Sequence, residues 1–242
     1  MAPADLHFYF DPICPFAWMT STWVRQVMAA RKYTVDWRFI SLRLVNADVD
    51  YDAHFPRNYE FTHTLGLKLL RVAARARAEL GPQAVDALQR SFGEHIFEVP
   101  PWEGEEHRRA TLGSVEYVGR MLAQAEVPVE FVDALEDRQW DAVVQAETDE
   151  ALTFTGRDVG TPILHFEPPD GVAFFGPVIS RRPSDEDAVE LWDHVIALAR
   201  YPGFSELKRS LRERLQLPVN GVKPGEVGKT EDWHQGSRRL KK

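Results

Sequence analysis

With one cysteine in 242 residues, the chain can form no internal disulfide and no metal centre built on paired thiolates. Any redox chemistry must therefore draw on a thiol from outside. Long apolar runs are missing as well, and nothing approaches the roughly 20 consecutive apolar residues of a membrane-spanning helix. Neither a basic n-region nor a long apolar segment precedes the first folded run, so a cytoplasmic location is expected. The formal net charge is −8, which gives no general attraction to nucleic acid or to an anionic membrane. Only Ser237 to Lys242 is locally basic, and it reads as a solvated tail. The eight histidines lack metal-ligand spacing, with His7, His63, His95 and His165 scattered over different elements. Gly156 to Gly160 has neither P-loop nor dinucleotide-binding spacing, and the acidic runs Glu103 to Glu106 and Asp185 to Asp187 read as solvated faces or caps.

What is present suffices for a sizeable core, because 44% of the residues are hydrophobic and seven are tryptophans. Leu6 to Phe10 is a short aromatic run stopped by Asp11-Pro12, the pattern of a strand entering a turn. From Pro15 to about Arg31 the residues Trp18, Met19, Trp23, Val27 and Met28 recur at helical spacing behind a proline suited to a first turn. Thr34 to Ile40 is β-branched and aromatic, which makes a right-handed parallel βαβ unit the economical reading.

Residues 56–155 carry no comparable β-rich run and read as amphipathic helices, punctuated at Gly81-Pro82, Pro100-Pro101 and Val127-Pro128. The β pattern returns at Pro162 to Phe166 and Val172 to Ala173-Phe174-Phe175, around the turn Pro168 to Gly171, and predicts a hairpin. A closing helix is expected after Ser184, with Val189, Trp192, Val195, Ile196 and Ala199 facing inward. Phe204 to Leu215 reads as one more helix, and Pro218 onward as an extended or mobile tail. The order is that of an α/β thioredoxin-like fold (βαβ…ββα) opened by a large all-helical insertion. Residues 1–55 and 156–215 would form the thioredoxin-like domain, 56–155 the insertion and 216–242 a C-terminal extension.

The cysteine, Cys14, follows a strand and turn and precedes Pro15 and a helix. Free backbone N–H groups and the helix dipole favour negative charge at such a position, so a thiol pKa at least about one unit below 8.5 is expected. The plainer alternative is a small buried hydrophobe.

Asp11-Pro12-Ile13-Cys14-Pro15-Phe16-Ala17-Trp18 resembles the active-site turn of the DsbA-like branch of the thioredoxin superfamily. Asp158 to Pro162 is similar to that branch's loop bearing a cis-proline, and Val172 to Ser180 resembles a segment of the actinobacterial mycothiol-dependent nitroreductases. The resemblance implies Cys14 as the nucleophile, Pro162 as the cis-proline beside the thiol site, and Thr161 as a backbone recognition residue. Pro15 follows the nucleophile, and Phe16 would shape access to it. Asn46, after the second strand, and Tyr59 fall on positions associated with the pocket, although a turn residue and a helix-packing aromatic explain them equally well.

Ala17 stands where dithiol members have their second cysteine, which removes the internal resolving step and implies a monothiol cycle. The implied co-substrate is a low-molecular-weight thiol such as mycothiol, with no tightly bound cofactor and no metal. The implied partners are small-molecule thiols or thiol adducts, with no nucleic acid and no membrane, and a homodimer stays open. Ala17 also fits a kappa-like glutathione-transferase or isomerase, or a redox-inactive binding protein on the same fold.

Overall fold

Leu6, Phe8 and Phe10 point to one face of their strand and Tyr9 to the other, and all four are buried, as the period-two geometry of a central strand requires. A computed structural model describes residues 4–234; the basic stretch Ser237 to Lys242 lies outside the described residues. Strand β1 (Leu6–Phe10) is followed by α1 (Pro15–Ala30) and β2 (Val35–Phe39), and β1 pairs with β2 in parallel. The hairpin of β3 (Ile163–Phe166) and β4 (Val172–Phe175) adds to the other side of β1 antiparallel, which gives the order β2-β1-β3-β4.

Between β2 and β3 run α2 (Leu42–Val45), α3 (Tyr51–His54), α4 (Tyr59–Leu80), α5 (Pro82–Phe97), α6 (Glu105–Leu112), α7 (Val115–Gln124) and α8 (Asp141–Thr155), with 3₁₀ turns at Val129–Leu135 and Arg138–Trp140. Helix α9 (Ala188–Arg200) follows β4. No helix among the described residues is long and apolar enough to cross a membrane.

The apolar stripe of α1 (Trp18, Met19, Trp23, Val24 and Val27) is buried, and Trp23 crosses Trp192 of α9 edge to face at 5.1 Å while donating its indole N–H to the Ala188 carbonyl at 2.8 Å. The other sheet face is covered by α8, whose Glu147 and Thr148 side chains accept the backbone N–H groups of Phe39 and Ser41 at 2.8 and 3.0 Å. Those two bonds hold the end of β2 where the chain turns toward the cysteine loop.

Trp18 lies flat against α5 at Gly93, where an added Cβ would stand 1.9 Å from the indole ring. The ring has little room to yield, since its N–H donates to Glu98 at 2.8 Å and its face stacks on Phe97. Gly93→Ala is expected to cost about 3 kcal/mol in overpacking against about 1 kcal/mol of helix gain, a net loss of about 2 kcal/mol in urea unfolding. Gly119→Ala in α7 meets only an ordinary contact with Val129 at 3.6 Å, and it should be neutral or slightly stabilising.

Two expectations at the C-terminal end are corrected. Phe204 to Leu215 forms no helix: Leu207 and Leu211 are 83% and 60% exposed, so of the leucines at helical spacing only Leu215 reaches the core. Residues Leu211–Glu213 instead form β5, paired antiparallel with β6 (Thr230–Asp232). The stretch from Pro218 is likewise held rather than extended, with a 3₁₀ turn at Pro218–Asn220. Leu215, Leu217 and Val222 are buried, and the Gln216 N–H donates to the Ser180 carbonyl at 2.8 Å. These apolar residues anchor a segment whose prolines and glycines alone suggest a loose tail.

Candidate active site

Cys14 is the N-cap residue of α1, extended in backbone, with Pro15 opening the helix. Its N–H donates to the Asp11 carbonyl and its own carbonyl accepts from Trp18, each at 3.0 Å, so the cysteine closes the turn and begins the helix. The thiol donates to the carbonyl oxygen of Thr161 at 3.2 Å, across 147 residues of sequence. Thr161 is itself held by its hydroxyl, which donates to the Tyr9 carbonyl at 3.1 Å, and the Thr161–Pro162 peptide is cis. The Pro162 carbonyl accepts from the Gly176 N–H at 2.9 Å, which ties this loop to the end of the hairpin.

The charge state of Cys14 differs from the sequence expectation. The sulfur sits on the floor of a cleft, only 6% exposed, rather than at an open helix tip. Burial pushes the thiol pKa up to about 12, and the nearby Asp11 carboxylate pushes the same way. The N–H groups of Ala17 and Phe16 oppose this and do not prevail. The resting group is therefore a protonated thiol whose hydrogen goes to Thr161.

Asp11 lies beneath the loop, 1% exposed, and accepts from the backbone N–H groups of Ile13 at 3.1 Å and Leu42 at 2.7 Å. It thereby joins the cysteine turn to the turn after β2. Burial raises its pKa to about 7, against the two N–H bonds that favour the charged form. Gly66 of α4 packs on this carboxylate so closely that an added Cβ would stand 2.3 Å from Oδ1.

Cys14, Pro15, Phe16, Asn46, Tyr59 and Thr161 all line one cleft of about 1720 Å³. Pro162, next to Thr161 in the chain, is not part of its wall. Small-molecule sites commonly occupy ~300–1,000 Å³, so this cleft has room for a small thiol together with the group attached to it. Asn46 also ends α2, donating its side-chain amide to the Leu42 carbonyl at 2.8 Å. Tyr59 stacks on Phe55 at 5.6 Å and meets His63 edge to face.

Sequence reasoning passed over several residues of this cleft. His63 lines it, buried, with Nδ1 2.8 Å from the Tyr51 hydroxyl. Burial and the Arg43 charge push its pKa down to about 4, so the imidazole is neutral near pH 7. A lone histidine on an apolar helix carried no motif to reveal it. Trp102 and, from the end of the chain, Arg212 and Trp233 also line the cleft. Asp11 stood inside the motif, and its Asx-type bond to the N–H two residues on is the one local signal that marks it.

The family described as Rv2466c-like, mycothiol-dependent nitroreductase Rv2466c, matches residues 13–209. A Mycobacterium tuberculosis protein described as uncharacterized protein Rv2286c is 30% identical over 203 residues, covering 84% of this chain and 80% of its own length. Among solved structures, a probable DsbA oxidoreductase from Streptomyces coelicolor, SCO1869, superposes with a TM-score of 0.51 at 13% identity, over 94% of this chain and 99% of that one. At that identity the likeness is one of fold.

Proposed function

This chain belongs to the Rv2466c-like family, described as mycothiol-dependent nitroreductase, and from that premise we propose that it is a DsbA-like thiol oxidoreductase acting through Cys14 alone with a low-molecular-weight thiol, such as mycothiol, as co-substrate. The observation that carries the reading is the Cys14 sulfur, 3.2 Å from the Thr161 carbonyl, on the floor of a cleft large enough for a thiol adduct. Thr161 offers the bound thiol a backbone edge, while Phe16, Asn46 and Tyr59 face its remainder.

The cycle balances without a second cysteine. Deprotonated Cys14 attacks one sulfur of a mixed disulfide; a new S–S bond forms to the small thiol, and the other thiolate leaves and takes a proton from solvent. A second small thiol, as thiolate, then attacks the bound sulfur, which frees Cys14 and releases a symmetrical disulfide. Ala17, buried behind the cysteine, offers no internal thiol to compete for this step. The cytoplasm, where free thiols are abundant, is the fitting compartment for such a cycle.

The raised Cys14 pKa favours a second reading of kappa-like transferase type. There the thiol stays protonated and donates its hydrogen to the sulfur of a bound thiolate. Intact-mass spectrometry separates the two. Incubation with an oxidised small thiol should add one thiol mass at Cys14, and excess reduced thiol should remove it. Tight thiol binding with no adduct would replace the proposed cycle with the second reading.

A further inference from the structure

The β5–β6 hairpin lies beyond residue 209, where the family match ends, yet it reaches back over the cysteine turn. Phe16, two residues after the sulfur, meets the Trp233 indole edge to face with ring centroids 5.4 Å apart. The Arg212 guanidinium lies over both rings, 5.9 Å from Phe16 and 5.4 Å from Trp233. All three side chains line the same cleft as Cys14.

The hairpin is firmly based. Arg212 is paired in register with Glu231, the Trp233 N–H donates to the Ser210 carbonyl at 2.9 Å, and Arg181 pairs with Glu213 at 3.2 Å. Leu217, 1% exposed, roots the following turn in the main core. Gly228 closes the hairpin where an added Cβ would lie 2.1 Å from the Arg214 carbonyl oxygen. A wall this well tied down presents its aromatic and guanidinium faces without ordering cost at the moment of binding.

We propose that the C-terminal hairpin, residues 211–233, is the selectivity wall of the Cys14 cleft, with Trp233 and Arg212 contacting the part of a thiol adduct that lies beyond the sulfur. The inference rests on the reading of Cys14 as the reacting group and assigns the specificity of that site. A planar substituent gains from packing on the indole or on the guanidinium beside it, and an aliphatic one of similar length does not.

The test compares two alkylating reagents that differ only by a phenyl ring, iodoacetamide and iodoacetanilide, on the full chain. Each forms a Cys14–carbon bond and releases iodide, and the rates are read by mass spectrometry at about pH 9 to raise the thiolate fraction. Trp233→Ala should lower the ratio of the anilide rate to the amide rate about fivefold, the size of one lost aromatic contact, and Trp233→Phe should keep it within about twofold. Arg212→Gln should lower it as well. A merely structural role would move both rates together and leave the ratio unchanged, and an unchanged ratio in Trp233→Ala overturns the wall. Alkylation needs only a reachable sulfur, so failure of the mixed disulfide to form would sink the proposed cycle without deciding this experiment.

Discussion

Cys14→Ser is expected to abolish adduct formation and to lower kcat/KM for thiol exchange by at least about a thousandfold, or about 4 kcal/mol of transition-state stabilisation. Serine has no sulfur to share in a disulfide, and its hydroxyl ionises too weakly to attack one. Structurally the exchange is mild, because the hydroxyl can donate to the Thr161 carbonyl in place of the thiol. The melting temperature should therefore stay within a few degrees of wild type, and activity lost without stability lost is the signature of a nucleophile. Steady-state assays with a mixed disulfide, alongside thermal unfolding, provide the check. Full activity in the serine variant would remove Cys14 from the chemistry.

Asp11→Asn should reverse a pH trend in stability. In the folded protein the carboxyl pKa stands at about 7 against an ordinary 3.8, with burial as the cause. An acid whose folded pKa is raised binds more protons folded than unfolded, so its contribution falls as pH climbs from about 4 to about 7. The span corresponds to about 4 kcal/mol at most. Asparagine carries no charge, but its amide must face either the Ile13 or the Leu42 N–H, leaving one donor unpaired at a cost of about 1–3 kcal/mol.

Wild type should thus be the more stable protein below about pH 4, and the variant should match or pass it above about pH 7. Urea unfolding of both proteins across that range gives the difference directly, with other titrating groups cancelling. A flat difference would show that burial does not govern the Asp11 charge. The same variant bears on the thiol: with the Asp11 charge gone, Cys14 loses one of the influences that hold it protonated. Its alkylation above pH 7 should then run faster than in wild type, provided the loop keeps its place.

Much of the frame was legible in local pattern. Phe8 and Phe10 alternate with Tyr9, and the Trp18 to Val27 stripe follows helical spacing, because strand and helix periods express which side of an element must leave water. Cys14-Pro15 after Asp11-Pro12 marked the turn from strand to helix for the same local reason. The segment from Phe204 misled, since leucines at helical intervals do not reveal that nothing lies opposite Leu207 and Leu211. The stretch from Pro218 misled in the other direction, its prolines and glycines drawing attention from Val222, which is buried, and from Leu217 just before it.

By itself the sequence determined the β1-α1-β2 unit, the β3–β4 hairpin, the helical character of the stretch between them, the absence of a second thiol and the place of Cys14 at a helix start, all properties of residues close together in the chain. Tertiary structure alone decided that the sulfur is buried and protonated, that Thr161 accepts its hydrogen from 147 residues away, and that Trp233 stands over the cleft. Burial and electrostatic environment are sums over neighbours in space, and for this thiol they join Asp11, Phe16 and Ala17 of its own turn to Thr161 from the loop before β3.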